Sequence, residues 1–134
     1  METSKIVYTG GLRTEATHLQ SGKTIISDAP TDNYGKGEAF SPTDLLATSL
    51  GSCMLTTMGI ASQTHNMNIK GAKARVTKVM AANPRRVSEV HVEFEMPKNN
   101  YSDKEKSILE NTALTCPVAK SLHPGIIQKV IFNY

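Results

Sequence analysis

The two cysteines, Cys53 and Cys116, are the residues whose chemistry this sequence most directly offers. Two thiols in 134 residues cannot form the disulfide framework of a small secreted domain, so cysteine chemistry here involves one thiol or one pair. Cys116 directly precedes Pro117, where a helix must break, and a mobile backbone there suits a resolving thiol that swings onto an oxidised partner. The spacing is compatible with a two-cysteine redox cycle, and a pair of inert core thiols is the alternative.

Length and composition indicate one ordinary globular domain over residues 1–134. With 39% hydrophobic residues, the chain is too apolar to be disordered. The net charge of +3 does not by itself indicate binding to nucleic acid or to an acidic membrane. The N-terminus lacks the apolar run of a secretion signal, and the uncharged stretch 45–69 holds too many hydroxyl and amide side chains for a bilayer span. We therefore expect a cytoplasmic protein without a membrane partner.

Cys53 is predicted to lie near the middle of a long helix. Residues 41–44 read Ser-Pro-Thr-Asp, which supplies a hydroxyl cap, a proline at the first helical position and a carboxylate three residues after the cap. The helix should run to about Thr64. Steps of three and four place five residues on one face: Leu46, Leu50, Cys53, Thr57 and Ile60. We therefore expect Cys53 to face packing partners.

Short strands surround this helix in the sequence. Segments 5–9 and 23–27, separated by glycine-containing turn pairs, predict an N-terminal β-meander. Period-two alternation over 72–77 and 89–96 predicts two half-buried strands, and the alternation over 130–134 predicts a closing strand.

A second helix should position Cys116. The run Ser102-Asp103-Lys104-Glu105 is a capping box, and the helix is expected to reach Cys116, where Pro117 ends or kinks it. The full order is β-meander, long helix, two strands, helix and strand, which predicts an α+β fold with sheet and helices sharing one core.

The run SPTDLLATSLGSC at 41–53, followed by TCPV at 115–118, resembles the OsmC/Ohr family of thiol-dependent peroxidases, and its general OsmC-like branch in particular. The resemblance covers nearly the whole chain. It implies an OsmC-like fold and an intertwined homodimer with two active sites at the interface. It also implies reduction of organic hydroperoxides, and of some hydrogen peroxide, without a metal or cofactor. A dithiol such as a lipoylated protein is the implied reductant.

The resemblance assigns roles to individual residues. Cys53 matches the peroxidatic thiol, and Cys116 matches the resolving thiol. Arg13 falls where the family has the arginine that holds the thiolate. The family's better studied peroxidases have a glutamate directly after the helix-opening proline, and this chain has Thr43 there. Glu38, in the preceding loop, is the predicted substitute.

The resemblance also predicts a reaction course. The thiolate attacks the peroxide, an alcohol leaves, and the resulting sulfenic acid condenses with the second thiol to a disulfide. Leu50, Met54 and Thr57 are the predicted substrate contacts, because an apolar helix face beside the thiol favours substrates with a hydrocarbon tail. The alternative is a family member that keeps the fold and dimer but has weak turnover. Such a protein would serve as a small-molecule-binding or regulatory thiol protein.

Other functional classes are less well supported. His65, His91 and His123 lack the close paired spacing of a zinc site, so no metal is expected. Segment 70–86 carries only basic charged residues, which would suit nucleic acid, but it has no aromatic residue for base stacking. Its alternating charges could instead face the acidic residues of segment 89–95 on a neighbouring strand.

Overall fold

The computed structural model describes residues Met1–Tyr134, which divide into two compact units, Met1–Leu46 and Ala47–Tyr134. The first unit contains a three-stranded antiparallel sheet in the order β1-β2-β3. Its strands are β1 (Ser4–Gly10), β2 (Arg13–His18) and β3 (Thr24–Asp28). The predicted β-meander is confirmed, with β2 as its middle strand.

Helix α1 (Pro42–Thr64) begins and ends where the sequence predicts. The Ser41 hydroxyl accepts a hydrogen bond from the backbone N–H of Asp44 at 3.0 Å, and the Asp44 carboxylate accepts one from the backbone N–H of Ser41 at 3.0 Å. These reciprocal bonds satisfy two N–H groups that the helix start leaves without an intrahelical partner.

Helix α1 is long and apolar enough to cross a membrane by length and composition, with a mean hydropathy of 1.4 over its most apolar window. A core helix of a globular domain meets the same criterion, and α1 contributes to the core of the second unit. The absence of a membrane partner therefore stays a prediction.

The buried face of α1 differs from the predicted one. Leu46 and Ile60 are 38% and 65% exposed, and Leu50 alone of the predicted five is fully buried. The buried residues of α1 are Ala47, Leu50, Gly51, Met54, Met58 and Ser62. The face lies close to the sheet at Gly51, where a Cβ atom would lie only 2.8 Å from Cγ2 of Val76. The helix turns its small residues toward the sheet, and Cys53 is left half-buried.

The second unit contains a mixed sheet in the order β4-β5-β6. Its strands are β4 (Lys73–Ala81), β5 (Arg86–Glu95) and β6 (Ile127–Asn133). Strands β4 and β5 are antiparallel, whereas β5 and β6 are parallel, which requires a crossover through the intervening helices. The core lies between α1, α2 (Asp103–Leu114) and this sheet, where Phe94 stacks on Phe132 with ring centroids 5.1 Å apart.

The basic residues of β4 face acidic residues of β5, as the alternation predicts. Arg75 lies opposite Glu93 in the register, and its Nη2 is 3.1 Å from Oε1 of Glu93. A second carboxylate, that of Glu95, lies 3.9 Å from Nη1 of Arg75. Cross-strand charge pairing therefore accounts for part of the basic character of segment 70–86.

Cys116 does not end the second helix, which corrects one prediction. The predicted capping box of Ser102 and Glu105 is present, but α2 ends at Leu114. Cys116 is instead the N-cap of a separate short helix, α3 (Pro117–Ser121). Pro117 occupies the first helical position of α3, where its missing N–H costs no hydrogen bond, so the proline starts a new helix.

Two glycines of α1 provide a matched test of the close packing against the sheet. Gly59→Ala should stabilise the protein by roughly 0.5–1 kcal/mol, because alanine is the better helix former and the added methyl group meets no atom within 4 Å. At Gly51 the same gain is offset by overpacking against Val76, which costs about 1–3 kcal/mol. Chemical denaturation should therefore show Gly51→Ala to be the less stable variant. Equal stabilities would contradict the close approach at Gly51.

Candidate thiol site

The structure brings the two cysteines of the second unit together. Both are free thiols, Cys53 packs against the core that contains Cys116, and Cys53 raises the pKa of the Cys116 thiol. Cys53 projects half-buried from α1, whereas Cys116 is buried in the turn between α2 and α3. Close approach of two thiols from distant parts of the chain is the arrangement that a reversible disulfide needs.

The environment of Cys116 keeps it protonated. Burial raises the pKa of the Cys116 thiol, and the neighbouring Cys53 thiol raises it further. The backbone N–H of Ala119, which lies 3.4 Å from the sulfur, and that of Val118 lower the pKa by less. Since the thiolate is the nucleophilic form, the raised pKa makes Cys116 a weaker nucleophile than an exposed cysteine. Cys53 is the thiol that solvent reaches.

Two threonines hold the backbone of α1 around Cys53. The hydroxyls of Thr56 and Thr57 each donate a hydrogen bond to the carbonyl of Cys53 at 3.0 Å. Thr57 also donates to the carbonyl of Met54 at 3.0 Å, so its hydroxyl is directed to the helix backbone. Such hydrogen bonds occupy the threonine hydroxyls within the helix itself.

The predicted substrate contacts lie at different depths. Leu50 and Met54 are fully buried in the core, and Thr57 is half-buried. Contact of Leu50 and Met54 with a substrate stays a prediction, and it would need part of the core to open. Thr57 is the accessible member of the three.

A charged cluster lies in the first unit, at Arg13. Its Nε and Nη2 donate to the two carboxylate oxygens of Asp28 at 2.6 and 2.9 Å, forming a bidentate ion pair. The hydrogen bonds from Arg13 hold the pKa of Asp28 below its ordinary value, against the opposing effect of burial. The predicted partner Glu38 is also present, but its carboxylate lies 3.9 Å from Nη2 of Arg13.

Sequence reasoning missed Asp28. The signal that could have found it is strand register, since Arg13 on β2 lies directly opposite Asp28 on β3. Directly opposite residues project from the same face of a sheet, so an arginine and an aspartate at these positions are placed to pair. Arg13 and Cys53 belong to different units, and the pairing of Arg13 with the thiolate stays a prediction.

Thr43 and the histidines have local roles. The hydroxyl of Thr43 lies 3.2 Å from that of Ser41, within the cap of α1. His91 Nε2 lies 3.0 Å from a carboxylate oxygen of Glu89, and the ring of His123 accepts a hydrogen bond from the N–H of Gly125. No group of three or more His, Cys, Asp or Glu residues is placed to hold a metal ion.

Fold and site together define an α+β protein with a half-buried thiol on a long core helix and a buried thiol beside it. The family model for OsmC-like proteins matches residues 35–130, and the chain belongs to that family. A search of curated proteins gives no match.

Solved structures share the fold across the whole chain. A protein from Psychrobacter arcticus with a proposed role in osmotic stress and detoxification is 62% identical, with a TM-score of 0.95 over 99% of this chain and 96% of its own. The organic hydroperoxide resistance protein OsmC of Legionella pneumophila is 14% identical, with a TM-score of 0.77 over 100% and 98% of the two chains. OhrB of Bacillus subtilis is 16% identical, with a TM-score of 0.65 over 98% of each. The predicted α+β, OsmC-like fold is confirmed.

Proposed function

We propose that this protein is a cysteine-based peroxidase that reduces organic hydroperoxides through Cys53 and Cys116. The placement of the two thiols carries the proposal, because the half-buried Cys53 packs against the core in which Cys116 is buried. A sulfenic acid formed on the accessible thiol would have its resolving partner at hand.

Similar proteins support a stress-response role at the level of the family. The Psychrobacter arcticus protein is assigned to osmotic stress and detoxification, and two neighbours with the same fold are organic hydroperoxide resistance proteins. Fold alone does not determine function, so the peroxidase assignment rests on the thiol site.

The proposed reaction has three steps. The Cys53 thiolate attacks the outer peroxide oxygen, the O–O bond breaks, and the alkoxide takes a proton and leaves as an alcohol. The Cys116 sulfur then attacks the Cys53 sulfenic sulfur, forming the disulfide and releasing water. An external dithiol, such as a lipoylated protein, reduces the disulfide and is itself oxidised. Arg13 is proposed to stabilise the starting thiolate, since a nearby cation favours the charged form of a thiol.

A homodimer is part of the proposal. The sheet of the first unit carries large apolar side chains that are exposed in the single chain: Ile6, Val7, Tyr8, Ile25 and Ile26. Exposed apolar surface of this extent is typical of an interaction site. Membership of the family favours a second copy of the chain as the partner that covers this surface. The cytoplasm is the proposed compartment.

Mass spectrometry of the protein after one equivalent of cumene hydroperoxide tests the proposal. We expect a chain lighter by two hydrogens, with a peptide linking Cys53 to Cys116, and a dimer in the native spectrum. The variant Cys116→Ser is the matched control, and it should accumulate a sulfenic acid on Cys53. An unchanged wild-type mass would contradict the peroxidase and favour the thiol protein with weak turnover, which the threonine at position 43 makes the second candidate.

A further inference from the structure

A cavity of about 350 Å³ lies beside the first turn of α2, and neither cysteine lines it. Binding sites for small molecules measure about 300–1,000 Å³, so the cavity has the size of a small ligand site. We propose that it binds a small molecule through a phosphate or carboxylate group. We call it the lysine cavity, and its polar and aromatic lining residues are Lys98, Lys106, Asn99, Asn100, Tyr101 and Tyr134.

The lysine cavity has two positive side chains in its lining and no acidic one. Lys98 and Lys106 form no ion pair, and Nζ of Lys106 instead lies 4.8 Å from the centroid of the Tyr134 ring. None of the acidic residues of α2 lines the cavity, and Glu110 accepts a hydrogen bond from the Tyr134 hydroxyl at 2.8 Å. Hydrogen bonds between an ammonium group and a phosphate or carboxylate are about twice as strong as neutral ones. An anion is therefore the ligand that this lining favours.

Hydrogen bonds hold the wall of the lysine cavity in place. The side-chain amide of Asn99 donates to the carbonyl of Asn68 at 2.7 Å, and the Tyr101 hydroxyl donates to the same carbonyl. The N–H of Met96, directly after β5, donates to the carbonyl of Asn133 at the end of β6 at 2.8 Å. The wall is therefore formed before a ligand enters, which lowers the entropic cost of binding.

The rest of the lining offers a neutral donor and an aromatic surface. The side-chain amide of Asn100 is a hydrogen-bond donor in addition to the two lysines. The rings of Tyr101 and Tyr134 meet edge to face, with centroids 6.0 Å apart. Small-molecule sites typically combine an apolar or aromatic wall with a few polar groups that orient the ligand. The tyrosine rings would therefore contact the carbon skeleton of the ligand, while the lysines hold its charged group.

The lysine cavity lies at the opposite end of α2 from Cys116. Lys106 belongs to the first turns of this helix, whereas Cys116 comes two residues after Leu114, where the helix ends. The 12 residues of α2 extend over about 18 Å. Binding in the cavity therefore requires no thiol chemistry, and a negative result there would leave the peroxidase proposal unaffected.

Titration of the full chain with inorganic phosphate, and separately with benzoate, tests the proposal. Two-dimensional NMR of the backbone amides, at an ionic strength held constant with chloride, should show saturable shifts at residues 98–101 and 106. The expected Kd is about 1–10 mM, as suits a small anion held by few contacts. Saturation with either anion supports the proposal, and the tighter of the two identifies the preferred charged group. Shifts that saturate with neither anion would overturn it.

Removing single charges tests the two lysines. Lys98→Gln and Lys106→Gln should each weaken anion binding about tenfold, because each loses a charge-assisted hydrogen bond. Lys104→Gln is the matched control, since Lys104 is exposed on α2 and does not line the cavity, and it should change the Kd less than about twofold. Equal weakening in all three variants would indicate attraction by general positive charge and would overturn the proposal. Should Lys106→Gln fail to fold, unchanged binding in Lys98→Gln would overturn it.

Discussion

Cys53→Ser is expected to lower peroxide consumption at least about 1,000-fold, because a hydroxyl at neutral pH is a far weaker nucleophile than a thiolate. The substitution is nearly isosteric, and Cys53 is half-buried, so the fold should be kept. The measurement is the steady-state rate of cumene hydroperoxide loss with an excess dithiol, with circular dichroism as the check on folding.

Cys116→Ser is the matched control for this prediction. It removes the buried thiol but leaves Cys53 able to react once, so the first turnover should persist while disulfide formation is lost. Rapid-mixing kinetics of a single turnover separates the two steps. A Cys53→Ser protein as active as the wild type would end the peroxidase proposal, and a Cys116→Ser protein without a first turnover would mean that the roles of the two thiols are reversed.

Leu109→Ala is expected to destabilise the protein by about 2–5 kcal/mol. Leu109 lies on α2, is 0% exposed and belongs to the core of the second unit, so its truncation leaves a cavity. Leu114, on the same helix, is 46% exposed, and Leu114→Ala should cost less than about 1 kcal/mol, as for most surface substitutions. Urea denaturation of the two variants measures the difference, and equal losses would contradict the described packing of α2.

Local signals were sufficient for much of the fold. The caps at Ser41 and Ser102 involve atoms within three residues of each other, and both helices begin where those caps predict. Alternation placed β4 and β5, and their charge pattern indicated that basic residues of one strand could face acidic residues of the other, as Arg75 and Glu93 do. These features depend on neighbours in the sequence or on a period that the sequence shows directly.

The side of α1 that packs on the sheet could not be predicted from local sequence signals. Large apolar residues predicted a face containing Leu46 and Ile60, but the structure buries the face that contains Gly51. Close approach of a helix to a sheet depends on where small residues meet the opposing side chains, here Val76. That match involves two distant segments, so neither segment alone reveals it.

By itself, the sequence determined the elements, the two candidate thiols and the resemblance to the OsmC-like family, because caps, periodicity and short motifs are local properties of the chain. Only the tertiary structure decided that Cys53 packs against the core in which Cys116 is buried, that burial raises the pKa of Cys116, and that Asp28 pairs with Arg13. Each of these depends on burial and on the register of strands or helices distant in the chain. Burial and register result from packing the whole core, which no single segment encodes.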